Sequence, residues 1–210
     1  MPALVLGARQ GSRFDVVGSR ADLSSDLTHV GMLWASTSLS SAVKVRVAHM
    51  GPPLQLPGEM QVHVVGWLEG LERDELEALE DWIEYMETRT KACVYFCRPA
   101  RQRQVDAESG EVTYKFSCAG LVEQAYDHVG IRLVVGDADL PRLDLETLKR
   151  VWSALLSRLT GPQLERILAK FGLPLAEAPW PVLVPGYILH SLTQRRGDLP
   201  YQSAASDVAF

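Results

Sequence analysis

The sequence has no surplus of basic residues, few cysteines and no long hydrophobic run, and each of these absences excludes a class of protein. Its 21 basic residues are outnumbered by 26 acidic residues, which gives a formal net charge of −5 and does not favour a nucleic-acid-binding surface. Three cysteines are too few for a scaffold held together by disulfides. No stretch reaches the length of about 18 apolar residues that a membrane-spanning helix needs, so we expect no transmembrane segment.

Motifs for phosphate and dinucleotide binding are also missing. The chain contains no G-x-x-x-x-G-K-[ST], G-x-G-x-x-G, H-E-x-x-H or G-x-S-x-G pattern. The histidines and cysteines do not show the spacing of a metal-ligand set, so neither a metal nor a cofactor is expected. The N-terminus shows no basic start followed by an apolar stretch. We therefore predict no signal peptide and expect the protein in the reducing cytoplasm.

The composition is that of a globular protein. Hydrophobic residues make up 47% of the 210 residues and charged residues 22%, which is enough for one sizeable core. We expect a single domain over residues 1–210. A helical C-terminal region would cover the core over residues 140–201, and the small, polar tail at 202–210 would fray.

Apolar and polar residues alternate in the first third of the chain, which predicts four strands. These strands cover residues 14–20, 28–35, 43–49 and 61–68. In the third strand one face is formed by Val43, Val45, Val47 and His49. The segment over residues 51–58 is rich in proline and glycine and is predicted as a loop.

Helical periodicity begins after residue 70. It predicts helices over residues 71–88, 118–130, 144–159 and 162–171. The polar, basic segment 98–113 is predicted as a loop or hairpin, and the proline-bounded segment 180–186 as extended. Strands and helices do not alternate regularly along the chain, which favours an α+β fold over a doubly wound parallel sheet.

The helix predicted over residues 71–88 is strongly acidic. Between Glu69 and Glu87 the sequence contains nine carboxylates and one arginine. This face could dock a basic partner, or it could be the solvated exterior of a helix, which is the usual role of such a charge run.

Cys118 stands in the first turn of the helix predicted over residues 118–130 and is followed by the small residues Ala119 and Gly120. Unpaired N–H groups and the positive end of the helix dipole favour a nucleophilic thiolate there. The same N–H groups can face a developing oxyanion. The alternative is a small, buried apolar cysteine that begins a helix.

Two histidines upstream are the best candidates for a base. If the hairpin between them is centred on Leu39, His29 and His49 stand directly opposite each other. Opposed residues of an antiparallel pair lie on the same face, about 4.5–5.5 Å apart. One imidazole could then take the thiol proton of Cys118 while the other orients it. Each histidine could instead be an ordinary residue at a strand end, and a one-residue bulge would break the pairing.

These segments together resemble the NlpC-type papain-like peptidases. Ser-Cys-Ala-Gly-Leu-Val at residues 117–122 resembles the nucleophile segment of that family. Thr-His-Val-Gly-Met-Leu-Trp at 28–34 and Val-Ala-His-Met at 47–50 resemble its two strands with polar site residues. Both histidines precede the cysteine, an order that resembles the circularly permuted branch, the YiiX/YebB-like hydrolases. Relatives of that branch include the lecithin:retinol acyltransferase-like enzymes.

The resemblance covers roughly residues 14–131. It implies a circularly permuted papain-like fold of class α+β, in which an antiparallel sheet packs against the cysteine-bearing helix, with extra C-terminal helices. Cys118 would be the nucleophile, His29 the general base and His49 the orienting polar group. The N–H of Cys118 would contribute to the oxyanion hole.

The chain departs from the family pattern at several positions. Ser117 stands where Asp or Asn is usual, Ala119 where Ser is usual, and Phe14 where Gly is common in the strand that opens the permuted branch. His49 takes a place that is often held by a carboxylate in that branch. These departures leave the triad possible but the substrate class undefined. Ser117 and Ala119 motivate a catalytically silent alternative.

The expected function is therefore a cysteine hydrolase or acyl-transfer enzyme. It would cleave an amide, ester or thioester in a peptide, amide or acyl substrate through an acyl-enzyme on Cys118. The alternative is a silent papain-like fold that binds a protein through the acidic helix. A third reading, acyl transfer on lipids, needs an apolar groove. The sequence does not define an oligomeric state.

Overall fold

A computed structural model of the chain describes residues 3–4, 9–20, 26–40, 44–51, 54–98 and 101–209. Within these ranges the protein is a mixed α+β structure with antiparallel sheets. Its strands are β1 (Ala3–Leu4), β2 (Arg9–Gly11), β3 (Val16–Arg20), β4 (Leu27–Leu33), β5 (Thr37–Leu39), β6 (Lys44–Met50), β7 (Leu54–Gln61), β8 (Val64–Gly66), β9 (Cys93–Tyr95), β10 (Arg101–Val105), β11 (Val112–Phe116), β12 (Arg142–Leu143) and β13 (Trp180–Pro181). Its α-helices are α1 (Arg73–Glu87), α2 (Cys118–His128), α3 (Leu145–Val151), α4 (Ser153–Leu156), α5 (Gly161–Lys170) and α6 (Pro185–Ser191).

The largest sheet has six strands in the order β1-β8-β3-β4-β6-β7, and each neighbouring pair is antiparallel. Both faces of this sheet are apolar. One face belongs to the main core, which it shares with α2 and α6. The other face forms a second, smaller cluster, which consists of Val17, Leu33, Leu39, Val45, Val47, Met60, Val62 and Val65.

Smaller sheets surround this centre. Strand β11 pairs with β10 in an antiparallel hairpin and with β9 in parallel, so the predicted loop or hairpin over residues 98–113 is a hairpin. Two further antiparallel pairs join β2 to β5 and β12 to β13. Over the described residues, no helix combines the length and the apolar character that crossing a membrane requires.

Helix α2 packs on the main-core face of the sheet and contacts β4 and β6. Ser117 caps its first turn, because the side-chain oxygen accepts the N–H of Gly120 at 3.0 Å. The helix begins at Cys118 as predicted and ends at His128. Gly130 then adopts a positive φ of 79°, which lets the chain turn away from the helix end.

Phe14 holds an unusual backbone conformation just before β3. Its φ is 70°, a region that residues with side chains rarely enter and that glycine enters freely. Tertiary contacts compensate for this cost. The Phe14 N–H donates to the carbonyl of Leu33 at 3.0 Å, its carbonyl accepts the hydroxyl of Tyr126 at 3.2 Å, and its side chain is buried.

The prediction of a loop over residues 51–58 is wrong, because residues 54–58 belong to β7. Leu54 pairs with Met50 and is buried in the main core. Pro57 is tolerated within this strand because the register with β6 shifts there, next to the pair of Val47 with Gly58. The neighbouring strand prediction over 43–49 corresponds to β6, and its first residue, Val43, lies outside the described residues.

Two further predictions differ from the structure in the C-terminal third. The helix predicted over 144–159 is divided into α3 and α4, since Trp152 has a non-helical ψ of 44°. The extended segment over 180–186 contains β13 but ends in the first turn of α6, where Pro185 occupies a helix start that proline suits. The helix predicted over 162–171 is confirmed as α5.

The tail predicted to fray at residues 202–210 is instead packed against α6, apart from Phe210, which lies outside the described residues. A short 3-10 helix spans Ala205–Val208, and Val208 is only 3% exposed in the main core. The hydroxyl of Tyr201 donates to Asp207 at 2.8 Å. Most residues of the tail are small and polar, so its composition did not indicate that Val208 packs into the main core.

Val208→Ala should lower the free energy of unfolding by about 2 kcal/mol, because it removes two buried methyl groups and leaves a cavity. Urea unfolding followed by circular dichroism measures this change. Gln202→Ala, in the same segment but exposed, is the matched control and should change stability little. Equal stability of the Val208→Ala variant and the native protein would show that the tail does not contribute to the core.

Candidate active site

Cys118 begins α2 with its side chain buried, 1% exposed. Burial raises the pKa of its thiol, and the N–H groups of Val30, Ala119 and Cys118 itself, together with the hydroxyl of Tyr95, counter only part of that rise. The helix N-terminus was predicted to favour a thiolate, but desolvation is the larger effect here. The resting group is therefore a neutral thiol.

Strands β4 and β6 separate where Cys118 meets the sheet. Among the described residues, the ladder between these strands has two pairs and ends with Met32 opposite Ala48. The N–H of Trp34 donates across to β6, and alternation along the strand turns the N–H of Val30 in the same direction. Beyond the end of the ladder, the Val30 N–H faces the sulfur of Cys118. The sulfur thus lies at the gap that opens between the two strands, which we call the split.

The imidazoles of His29 and His49 also meet at the split. Nε2 of His29 lies 2.6 Å from Nδ1 of His49, and the rings are 4.8 Å apart and nearly perpendicular. The predicted contact is confirmed, but the predicted register is wrong. Since Met32 faces Ala48, His49 stands opposite Gly31 rather than His29. The rings therefore meet on the diagonal, where Gly31 provides room: a Cβ on it would lie 2.9 Å from the Cβ of His49.

Gln55 determines which ring nitrogens carry protons. Its Oε1 lies 3.3 Å from Nε2 of His49 and can only accept, which places the His49 proton on Nε2. Nδ1 of His49 is then an acceptor for the Nε2–H of His29. This chain leaves Nδ1 of His29 as the basic nitrogen. Gln55 was missed from sequence because it lies in the segment predicted as a loop.

Both imidazoles are neutral at neutral pH. Burial lowers the pKa of His29 to about 4. Burial, with a smaller effect of the charge on His29, lowers the pKa of His49 to about 4, against a small rise from its bond to Gln55. A neutral pair agrees with the short contact, because one nitrogen must accept the proton of the other.

The cysteine and the histidines reach the split from opposite faces of the sheet. Alternation puts the side chains of His29 and His49 on the side of Leu33 and Val47, which belong to the second cluster, whereas Cys118 belongs to the main core. Within the described part of the chain, no hydrogen bond joins the Cys118 sulfur to either imidazole. The structure thus brings the two histidines together and brings the sulfur to the backbone beside His29.

An apolar cavity of about 300 Å³ opens beside the split. Its walls come from strand ends and from the helical region after residue 140, and consist of Thr28, His29, Met50, Gly51, Tyr95, Trp152, Leu155 and Phe171. Tyr95 links this cavity to the cysteine. Its ring packs edge-on against Phe171 at 5.3 Å, and its hydroxyl lies close enough to the sulfurs of Cys118 and Cys97 to influence their pKa values. No sequence signal pointed to Tyr95.

The other two cysteines are buried free thiols. Burial raises the pKa of Cys93 to about 11 and the pKa of Cys97 well above its ordinary value. Among the residues that the structure describes, no group of three or more His, Cys, Asp or Glu side chains could hold a metal ion.

Comparisons of this chain with protein-family models, with curated proteins and with solved structures returned no match. The likeness to permuted NlpC-type enzymes therefore depends on its short motifs around Cys118, His29 and His49.

The stability of the protein should fall as the pH is lowered from about 6.5 to about 4. In this window the unfolded histidines bind protons and the folded ones do not, so acidification favours the unfolded state; above pH 6.5 the contribution of these groups is constant. Urea unfolding at several pH values measures the slope.

The double variant His29→Asn/His49→Asn should show a shallower slope, since its remaining pH dependence comes from other groups. His128→Asn, which removes an exposed histidine, is the control and should keep the native slope. An unchanged slope in the double variant would contradict the low pKa of the pair.

Proposed function

We propose that this protein is a cysteine hydrolase or acyl-transfer enzyme that cleaves an amide, ester or thioester through an acyl-enzyme on Cys118. The proposal depends on the arrangement at the split. There the sulfur of Cys118, at the start of α2, and the hydrogen-bonded pair of His29 and His49 both lie at β4, beside an apolar cavity. The proposed fold is the circularly permuted papain-like one. The proposed compartment is the cytoplasm, in keeping with three free cysteines.

In the proposed reaction, the sulfur of Cys118 bonds to the substrate's carbonyl carbon while its proton passes to Nδ1 of His29. The imidazolium is stabilised by its Nε2–H bond to neutral His49, which Gln55 orients. The proton then moves to the leaving amine, alcohol or thiol as the scissile bond breaks. Water or an acceptor amine next attacks the acyl carbon and gives its proton to His29. As the C–S bond breaks, His29 returns this proton to the sulfur, which leaves as the thiol.

The protonation states support a base-assisted attack. A buried thiol with a raised pKa needs a base at the moment of attack, and neutral His29 supplies one at neutral pH. The N–H groups of Cys118 and Ala119 at the start of α2 would face the oxyanion. The reaction requires the ring of His29 to turn into the split, so that Nδ1 reaches the sulfur.

Acylation of Cys118 tests the proposal. With p-nitrophenyl acetate at neutral pH, the native protein should form an acetyl adduct on the Cys118 peptide, which mass spectrometry detects. His29→Ala should slow this acetylation about 100-fold or more, the effect of losing a general base. His63→Ala removes a histidine that bonds the backbone of Arg20 and should keep the native rate. Acetylation no faster than at Cys93, or unaffected by His29→Ala, would refute the assignment.

The pH dependence of acetylation provides an independent check. Because the neutral form of His29 is the base, the rate should decrease as the pH falls through about 4 and vary little between pH 5.5 and 7. The measurement is the initial rate of p-nitrophenol release under single-turnover conditions. A rate that rises about tenfold per pH unit through neutrality would indicate an unassisted thiolate and contradict the role of His29.

A second candidate is a catalytically silent papain-like fold that binds a protein. The state of Cys118 favours it, because the thiol is 1% exposed and its pKa is raised. The partner surface would be the acidic exterior of α1, on which Asp81 and Glu84 are exposed. In the acetylation experiment this candidate predicts no adduct on Cys118 in the native protein.

A further inference from the structure

A second cavity, of about 460 Å³, lies at the opposite end of α2 from Cys118. Its walls come from α1, α2 and the β10–β11 hairpin, and consist of Asp81, Trp82, Tyr85, Arg103, Tyr114, Gln124 and His128. His128 follows Cys118 by ten residues, which is about 15 Å along the helix axis at 1.5 Å per residue. This cavity is therefore separate from the proposed active site, and its size is that of an ordinary small-molecule site.

A chain of hydrogen bonds runs along one wall of this cavity. The hydroxyls of Tyr85 and Tyr114 lie 2.6 Å apart, and their rings meet edge to face at 6.3 Å. The guanidinium of Arg103 acts to lower the pKa of the Tyr114 hydroxyl, against a larger rise from burial and from Tyr85, and so lies close to that hydroxyl. The guanidinium of Arg89 lies 3.7 Å from the centre of the Tyr85 ring, in a cation–π contact.

Counting protons shows that the two hydroxyls have one proton to spare. The two tyrosine hydroxyls carry two protons, and the contact between them uses one. A guanidinium can only donate, so Arg103 offers no acceptor for the second proton. Because Tyr85 is 42% exposed, this proton is available to water or to an oxygen of an occupant.

The remaining lining residues define the kind of occupant. Arg103 provides a positive charge close to the tyrosine hydroxyls, Asp81 carries the one negative charge of the lining, and His128 adds two ring nitrogens. The rings of Trp82, Tyr85 and Tyr114 provide an aromatic wall. A ligand that meets both requirements has a negatively charged acceptor group at one end and a flat apolar body at the other.

We propose that this cavity binds a small aromatic carboxylate. The ligand's carboxylate accepts from Arg103 and from one of the two tyrosine hydroxyls, and the ligand's ring lies against the aromatic wall. A carboxylate accepts two parallel donors better than a neutral amide does, since charge-assisted hydrogen bonds are about twice as strong as neutral ones.

Isothermal titration calorimetry with indole-3-acetate tests this proposal, with neutral indole-3-acetamide as the matched ligand. The native protein should bind the acid about tenfold more tightly than the amide. Arg103→Gln should weaken binding of the acid about tenfold and bring it level with the amide. Tyr85→Phe, which removes one hydroxyl and keeps the ring, should weaken binding of the acid less, about threefold to tenfold.

Lys115→Gln is the control, because it removes the same charge from the same hairpin while its ammonium lies over Phe96 and outside the cavity. It should bind the acid as the native protein does. Thermal unfolding verifies that each variant is folded. Absence of binding at millimolar indole-3-acetate, equal binding of acid and amide, or an equal loss in Lys115→Gln and Arg103→Gln would each overturn the proposal.

Discussion

The divergence of β4 from β6 is the constraint on which the candidate active site depends. Had the ladder continued past Met32 and Ala48, the N–H of Val30 would bond β6 and would not face the sulfur of Cys118. The same divergence opens the space across which the two imidazoles meet. One interruption of a sheet therefore frees a backbone donor for the cysteine and brings the imidazole pair to the same gap from the other face of the sheet.

Desolvation then sets the chemistry of the groups around this gap. It disfavours every charged form, so the thiol keeps its proton and the imidazoles of His29 and His49 stay neutral. A buried thiolate–imidazolium pair at rest would have to offset the cost of burying two charges. A neutral resting state in which the proton moves only during attack avoids that cost, and Gln55 maintains it by fixing the proton positions.

Local patterns predicted much of this arrangement, and long-range pairing limited the rest. The start of α2 at Cys118 follows from Ser117 and from the periodicity behind it, both of which are local. The wrong register still predicted the histidine contact, because a shift of two residues leaves each side chain on its face. Gln55 and Tyr95 could not be predicted. The prolines and glycines around Gln55 indicated a loop, although the residue lies in β7. Tyr95 reaches the site through tertiary packing alone.

In the proposed reaction the sulfur of Cys118 and Nδ1 of His29 share a proton through the split. The most direct measurement is a crystal structure of the protein after a peptide aldehyde has formed a hemithioacetal on Cys118. We expect Nδ1 of His29 to lie within hydrogen-bonding distance of the hemithioacetal sulfur or oxygen, with Nε2 still bonded to His49. An imidazole that remains on the far face of the sheet, with Nδ1 directed away from the adduct, would contradict it.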